Sequence, residues 1–279
     1  MKNKSLRALL LAACLAAAGI ASSAADVPDT QTPGRLRVAV YADFPPYSAK
    51  GKGIDIEIGK ELARRMGMEP EVIEYTADED MSDDLRNMVW KGHYLGTRPA
   101  DVMLHVPVDK YLADNNEQVR IFAPYHVESL AVARDPRRIP PVTGSAARAL
   151  EAFTREKIGV ETASLADDFL MSVMNGRLRE NVMHFTTVAQ AVQAMKQGQI
   201  GAVMAARTEV ESAVGTGTAY EISAVSMPEL RIKGWALGLA VKAGNDPLAE
   251  ALGKAMQEID RDGTLAKIFT DNGVTLQKP

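Results

Sequence analysis

Apolar residues along this chain alternate between short continuous runs and helical spacing, and Gly, Pro or acidic clusters mark each switch. Leu36-Arg37-Val38-Ala39-Val40 reads as a strand that stops at the polar-aromatic stretch Asp43-Phe44-Pro45-Pro46-Tyr47. Ile58, Leu62 and Met66 then step by four, the spacing of one helix face, so a helix is predicted over Gly53–Met66 with Gly67 as its C-cap. Glu69–Tyr75 restarts as a strand, a second helix is predicted over Leu85–Lys91, and Ala100–Val106 reads as a buried strand stopped by Pro107. The acidic run Asp78–Asp84 carries no calcium loop, because Asp83 stands at the required glycine and Val89 at the closing glutamate. It reads as a solvated loop with Ser82 as the helix cap.

Phe122-Ala123-Pro124-Tyr125 leads into an extended run, Ser129–Ala133, which marks a crossing into a second unit. After Pro140-Pro141 the same order of strand, helix, strand, helix, strand returns over Lys157–Val160, Leu165–Met174, Val182–Phe185, Val188–Gln197 and Ile200–Ala205. Trp235–Val241 is a further strand, and the amphipathic helix Leu248–Arg261 reads as a return to the first unit. The expectation is an α/β protein of two lobes joined by two hinge strands, with lobe 1 over 34–125 and 228–279 and lobe 2 over 126–227. Ligands of open α/β sheets settle beyond the carboxyl ends of the strands, so the loop after Val40 is one wall of the expected cleft.

Composition changes this picture in two ways. Lys2, Lys4 and Arg7 precede an apolar stretch from Ala8 to Ala21, and small residues follow, so residues 1–25 read as a secretory signal and the expected compartment is the periplasm. Leu11-Ala12-Ala13-Cys14 also resembles a lipobox, which leaves a lipid anchor at Cys14 as the alternative. Cys14 is the single cysteine, so removal of the signal excludes disulfides, thiolate zinc sites and cysteine nucleophiles. It also takes Lys+Arg from 32 to 29 against 36 acidic residues, a formal net charge of −7, which argues against nucleic acid as a partner. No cofactor is implied, a monomer is expected, and the chain carries no Gly-x-Ser-x-Gly, His-Glu-x-x-His or P-loop motif.

The order of Leu36-Arg37-Val38, Pro45-Pro46-Tyr47, Gly53-Ile54-Asp55-Ile56-Glu57, Phe122-Ala123-Pro124-Tyr125, Ala191–Gly198 and Ile259–Phe269 resembles family 3 periplasmic solute-binding proteins, the polar amino-acid receptors of ABC importers. The resemblance spans almost the whole chain after the signal and implies a type II periplasmic binding fold that captures a small polar or anionic solute for an ABC permease. Amino-acid binders of that family place an arginine in a Thr-x-x-Arg pattern and an aspartate for the amino group; Lys110 and Ala206 stand at those positions here. Lysine lacks the guanidinium fork that holds a carboxylate bidentately. A second resemblance, over Arg86–Gly92 and Ala100–Pro107, is to binding-protein-like accessory proteins of periplasmic quinoprotein alcohol dehydrogenases, which would make a dehydrogenase or its cytochrome the partner. A cyclic-acid dehydratase on the same fold is the third alternative, and the reading favoured is non-enzymatic.

Candidate ligand-binding residues follow from position. Tyr41, Phe44 and Tyr47 offer aromatic faces to a planar or cationic ligand, or pack within their own loop. Asp43 suits a ligand amine or a turn, and His105 ends a strand that faces the cleft. Lys110 and Arg207 are candidate anion partners, Arg207 being equally suited to a solvated helix start, and Tyr125 sits at the hinge beside His126. Thr162 and Ser164 belong to the second lobe's loop, where Ser164 either caps a helix or shares an anion site with free backbone N–H groups. Two histidines without a third spaced ligand make no metal site.

Overall fold

The structure, a computed structural model, describes residues 28–279; the expected signal and Cys14 lie outside the described residues. Within them the chain builds two five-stranded sheets. The first contains β1 (Arg35–Tyr41), β2 (Glu69–Tyr75), β3 (Val102–Pro107), β4 (Val119–Glu128) and β10 (Trp235–Lys242), in the order β2-β1-β3-β10-β4. The second contains β5 (Leu130–Arg134), β6 (Ile158–Glu161), β7 (Val182–Phe185), β8 (Ala202–Ala206) and β9 (Glu221–Ala224), in the order β7-β6-β8-β5-β9. Each sheet has four strands running one way and one antiparallel strand, β10 or β5, set between two of them, that arrives from the other sheet's part of the chain. Helices α1 (Ile54–Arg65), α2 (Met81–Leu85), α3 (Lys110–Asp114), α8 (Asp246–Arg261) and α9 (Thr264–Asp271) accompany the first sheet. The second has α4 (Ala146–Ala149), α5 (Leu165–Ser172), α6 (Val188–Lys196) and α7 (Arg207–Val214).

Burial explains why the sequence pattern yields these elements. β1 lies between two parallel partners and is covered on both faces, so Leu36 to Val40 are all buried and the strand reads as a continuous run instead of an alternation. Ile54, Ile58 and Leu62 turn one face of α1 onto that sheet. Gly59 lets the helix approach, since a Cβ there would lie 2.7 Å from Val38 Cγ1. Gly53 introduces the helix at φ 127°, and a side chain at that point would collide with the backbone of Tyr47. The glycine thus fixes how the loop after β1 folds back over the sheet.

Three local expectations are corrected. The helix expected from Leu85 begins at Met81 and passes into a π-helical turn over Arg86–Trp90. Its cap is Asp80, not Ser82: the Asp80 carboxylate accepts from the Ser82 and Asp83 N–H groups at 2.8 and 3.0 Å. The acidic run is only partly solvated, because Asp84 is buried and accepts the Tyr41 hydroxyl at 2.6 Å. The edge strand β9 was not anticipated, being four residues long and half exposed.

The chain passes between the sheets at Ser129 and returns between Ala224 and Trp235. A third tie comes from the C-terminal tail. Gln277 accepts from Val127 N–H at 2.8 Å and donates its own N–H to His126 Nδ1 at 3.2 Å, while Thr275 N–H donates to Glu211 of α7 at 2.8 Å. Because Nδ1 accepts, the His126 proton sits on Nε2, which lies 3.2 Å from Thr208 Oγ1, also on α7. Burial pushes the His126 imidazole down to about 4. A histidine depressed in the folded state stabilises above its ordinary value of 6.5 and loses that contribution as pH falls toward 4. Wild-type melting temperature should therefore fall across that window, and His126→Gln should flatten the fall; parallel pH profiles for the two proteins would count against a depressed His126.

Candidate functional site

A cavity of about 350 Å³ lies between the carboxyl ends of strands from both sheets. The first sheet contributes Phe44 and Tyr47 from the loop after β1, His105 and Pro107 from β3, and Trp235 and Leu237 from β10. The second contributes Leu130, Glu161, Ser164, Leu165, Ala205, Ala206 and Glu209. A recess of about 120 Å³ shares Phe44, Glu161, Val188 and Glu209 and adds Asp43. Among the described residues lining either space there is no lysine or arginine.

The aromatic wall is rigidly held. Phe44 and Ser48 exchange backbone hydrogen bonds at 2.7 and 2.8 Å, which folds the loop so that the Phe44 and Tyr47 rings stack with centroids 5.4 Å apart. His105 meets both rings edge-on at 4.9 and 4.2 Å. Behind it, Asp55 is fully buried; it accepts the Tyr125 hydroxyl at 2.8 Å and lies 3.1 Å from His105 Nδ1. Tyr125 Oη in turn accepts His105 N–H at 3.2 Å. These contacts hold His105 at φ 63°, a left-handed conformation that a non-glycine residue keeps only when its surroundings over-determine it. Burial, reinforced by Asp55, drives the Tyr125 phenol well above its ordinary range.

The opposite wall is acidic. Glu128, at the crossing between sheets, accepts the Tyr47 hydroxyl at 2.7 Å and the Ser129 and Thr208 N–H groups at 2.9 and 3.4 Å. Glu161 ends β6 and accepts Val188 N–H at the start of α6 at 3.1 Å, and burial raises its carboxyl above the usual value. Glu209 lies in the first turn of α7. Burial, then the charges of Glu161 and Glu128, push it up to about 8. Like charges gathered in a poorly solvated space cannot all ionise cheaply, so Glu209 holds the shared proton near neutrality.

The expected site residues separate into groups. Phe44, Tyr47, His105 and Ser164 meet at the cavity, and Asp43 lines the recess. Tyr41 and Tyr125 lie behind that wall, bonded to Asp84 and Asp55. Lys110 does not line the cavity; its side chain is exposed on α3 and pairs with Asp114 at 2.6 Å, one helical turn away. Thr162 turns to the Phe185 carbonyl, and Arg207 pairs with Glu211 at 2.6 Å, so neither lines the cavity. Glu128, Glu161, Glu209 and Trp235 were not singled out from sequence. Glu161 stands beside Thr162 and Glu209 two residues past Arg207, but nothing in the local pattern says which neighbour faces inward.

No protein-family model matches the chain, and no curated protein matches it by sequence. Solved structures do match. An ancestral cationic amino acid solute-binding protein aligns with a TM-score of 0.67 at 19% identity, over 86% of this chain and 96% of the other. Substrate-binding domain 2 of GlnP from Lactococcus lactis, in its open conformation, aligns at 0.60 and 18% identity, over 89% and 98%. An amino-acid ABC transporter substrate-binding protein from Streptococcus pneumoniae, bound to L-arginine, aligns at 0.57 and 18% identity, over 88% of this chain and 96% of the other. This chain therefore has the type II periplasmic binding protein fold.

Glu209 supplies a test of the acidic wall. A carboxyl raised in the folded state stabilises below its ordinary value of 4.5, and that contribution is lost as pH rises toward 8. Glu209→Gln should melt above wild type at about pH 8 and converge with it near pH 5. A constant offset across that range would show that Glu209 ionises as freely folded as unfolded.

Proposed function

We propose that this protein is a periplasmic solute-binding protein that clamps a small organic cation between two lobes, 34–125 with 228–279 and 126–227, and presents it to an ABC-type importer. The observation that carries the reading is the lining of the cavity: Glu128, Glu161 and Glu209 approach it and no lysine or arginine does, among the described residues. The anionic solute expected from the sequence is unsuited to such a wall. A cation there offsets carboxylate charge that is otherwise poorly solvated, and Phe44, Tyr47 and Trp235 add ring faces that attract positive charge. Two structural neighbours, a cationic amino acid solute-binding protein and one bound to L-arginine, agree with this sign of charge.

Closure follows from where the contacts originate. Phe44, His105 and Trp235 belong to the first sheet's unit, whereas Glu161 and Glu209 belong to the second, so a solute touching both favours the closed arrangement over the open one. The crossing at Ser129 and the return before Trp235 supply the paired flexure that such closure needs.

An entering cation also favours the ionised form of Glu209 and displaces its proton. Titration calorimetry with agmatine, in buffers of different ionisation enthalpy, should show binding with release of up to one proton at neutral pH, and affinity should rise from about pH 6 to 8 and then level. Preferential binding of succinate over agmatine would overturn the cationic reading.

A further inference from the structure

Several of the backbone donors at the helix starts around this cavity are occupied by the chain's own acids. The first turn of a helix offers unpaired N–H groups and partial positive charge, and three helices begin at this cavity. At α5, the Ala163 N–H donates to Asp167 at 2.9 Å and the Asp167 N–H donates to Ser164 Oγ at 3.2 Å. At α6, the Val188 N–H donates to Glu161 at 3.1 Å. At α7, the Thr208 N–H donates to Glu128 at 3.4 Å. Three internal carboxylates thus stand where a solute carboxylate would seek its hydrogen bonds. The nearest basic side chains of the second unit give no substitute, because Arg207 is engaged by Glu211 and His184 by Asp167 at 2.9 Å. The rest of the wall is mainly aliphatic or aromatic, with Leu130, Leu165, Val188 and Leu237 among its members; its polar members are Ser164 and His105, whose Nδ1 lies 3.1 Å from Asp55.

We propose that the solute is a carboxylate-free amine, an alkyl- or aralkylammonium with an apolar body, and that the cleft rejects the corresponding α-amino acid. This rests on the cationic reading of the same site. The ammonium sits against Glu161 and Glu209, and the apolar body lies along Leu130, Leu165 and Leu237 toward the Phe44 and Trp235 rings. A carboxylate on the same molecule would enter a space already lined by three glutamates, with no lysine or arginine in its wall to meet the charge.

Matched pairs test this directly: phenethylamine against phenylalanine, isopentylamine against leucine, and agmatine against arginine, each measured by calorimetry on the mature protein. The amine of at least one pair should bind at least about tenfold more tightly than its amino acid. Glu161→Gln should weaken that amine by about tenfold or more while melting within a few degrees of wild type. Equal or tighter binding of the amino acids would mean that the first-turn N–H groups of Leu165 and Ala166 hold a carboxylate, which overturns the exclusion and leaves the cationic reading standing. Binding by 3-phenylpropionate in preference to phenethylamine would overturn both.

Discussion

A carboxylate moved out of water must find a proton, a hydrogen-bond donor or a cation, and that requirement governs the space between the two sheets. Removing one such ion from solvent costs several kcal/mol even after the surroundings relax. Here the three remedies are divided among neighbours. Glu128 takes the Tyr47 hydroxyl and backbone N–H groups, Glu161 takes one N–H at the start of α6, and Glu209, pushed up to about 8, keeps its proton. The arrangement is satisfied but not saturated, and a solute cation is the partner we propose for it. The same constraint operates behind the aromatic wall, where fully buried Asp55 is bonded by Tyr125 and His105 and so fixes the ring that faces the cavity.

The two halves of the molecule share one strand order, and the consequence is mechanical. Each sheet borrows its antiparallel strand from the chain's passage out of the other: edge strand β4 runs into β5 through Ser129 alone, and edge strand β9 returns to β10 over residues 225–234. The tail adds a third connection close to the same axis, joining β4 and α7 through His126, Gln277 and Thr275. Three connections between the same two sheets suit the rotation that the proposed clamp requires.

Much of the fold was legible in sequence because its signals are burial signals. The run Leu36–Val40 and the four-residue step of Ile58 and Leu62 reflect contact with a core, and both elements appear within a residue or two of the expected bounds. The helix expected over Val188–Gln197 forms over Val188–Lys196, capped by Thr187, whose hydroxyl accepts from Gln190 N–H at 3.2 Å. The π-helical turn at Arg86–Trp90 and the cap at Asp80 were not legible, since several acidic residues in a row offer competing caps and only packing selects one. The site was read unevenly for a related reason. Phe44, Tyr47 and His105 follow from strand ends, but the inward choice between Glu161 and Thr162, or Glu209 and Arg207, is set by where α6 and α7 begin relative to the sheet. Lys110 was drawn by pattern position, yet one helical turn supplies Asp114, and an exposed ion pair is its simplest partner.

The acidic cleft makes its central commitment at one carboxyl group. Carbon-13 spectroscopy of carboxyl-labelled glutamate, with the Glu209 signal identified by its loss in Glu209→Gln, measures that group's ionisation with and without phenethylamine. The account predicts a midpoint near 8 in the empty protein and a clear downward displacement when the amine is present. A midpoint near the ordinary 4.5 that the amine leaves unmoved would contradict it.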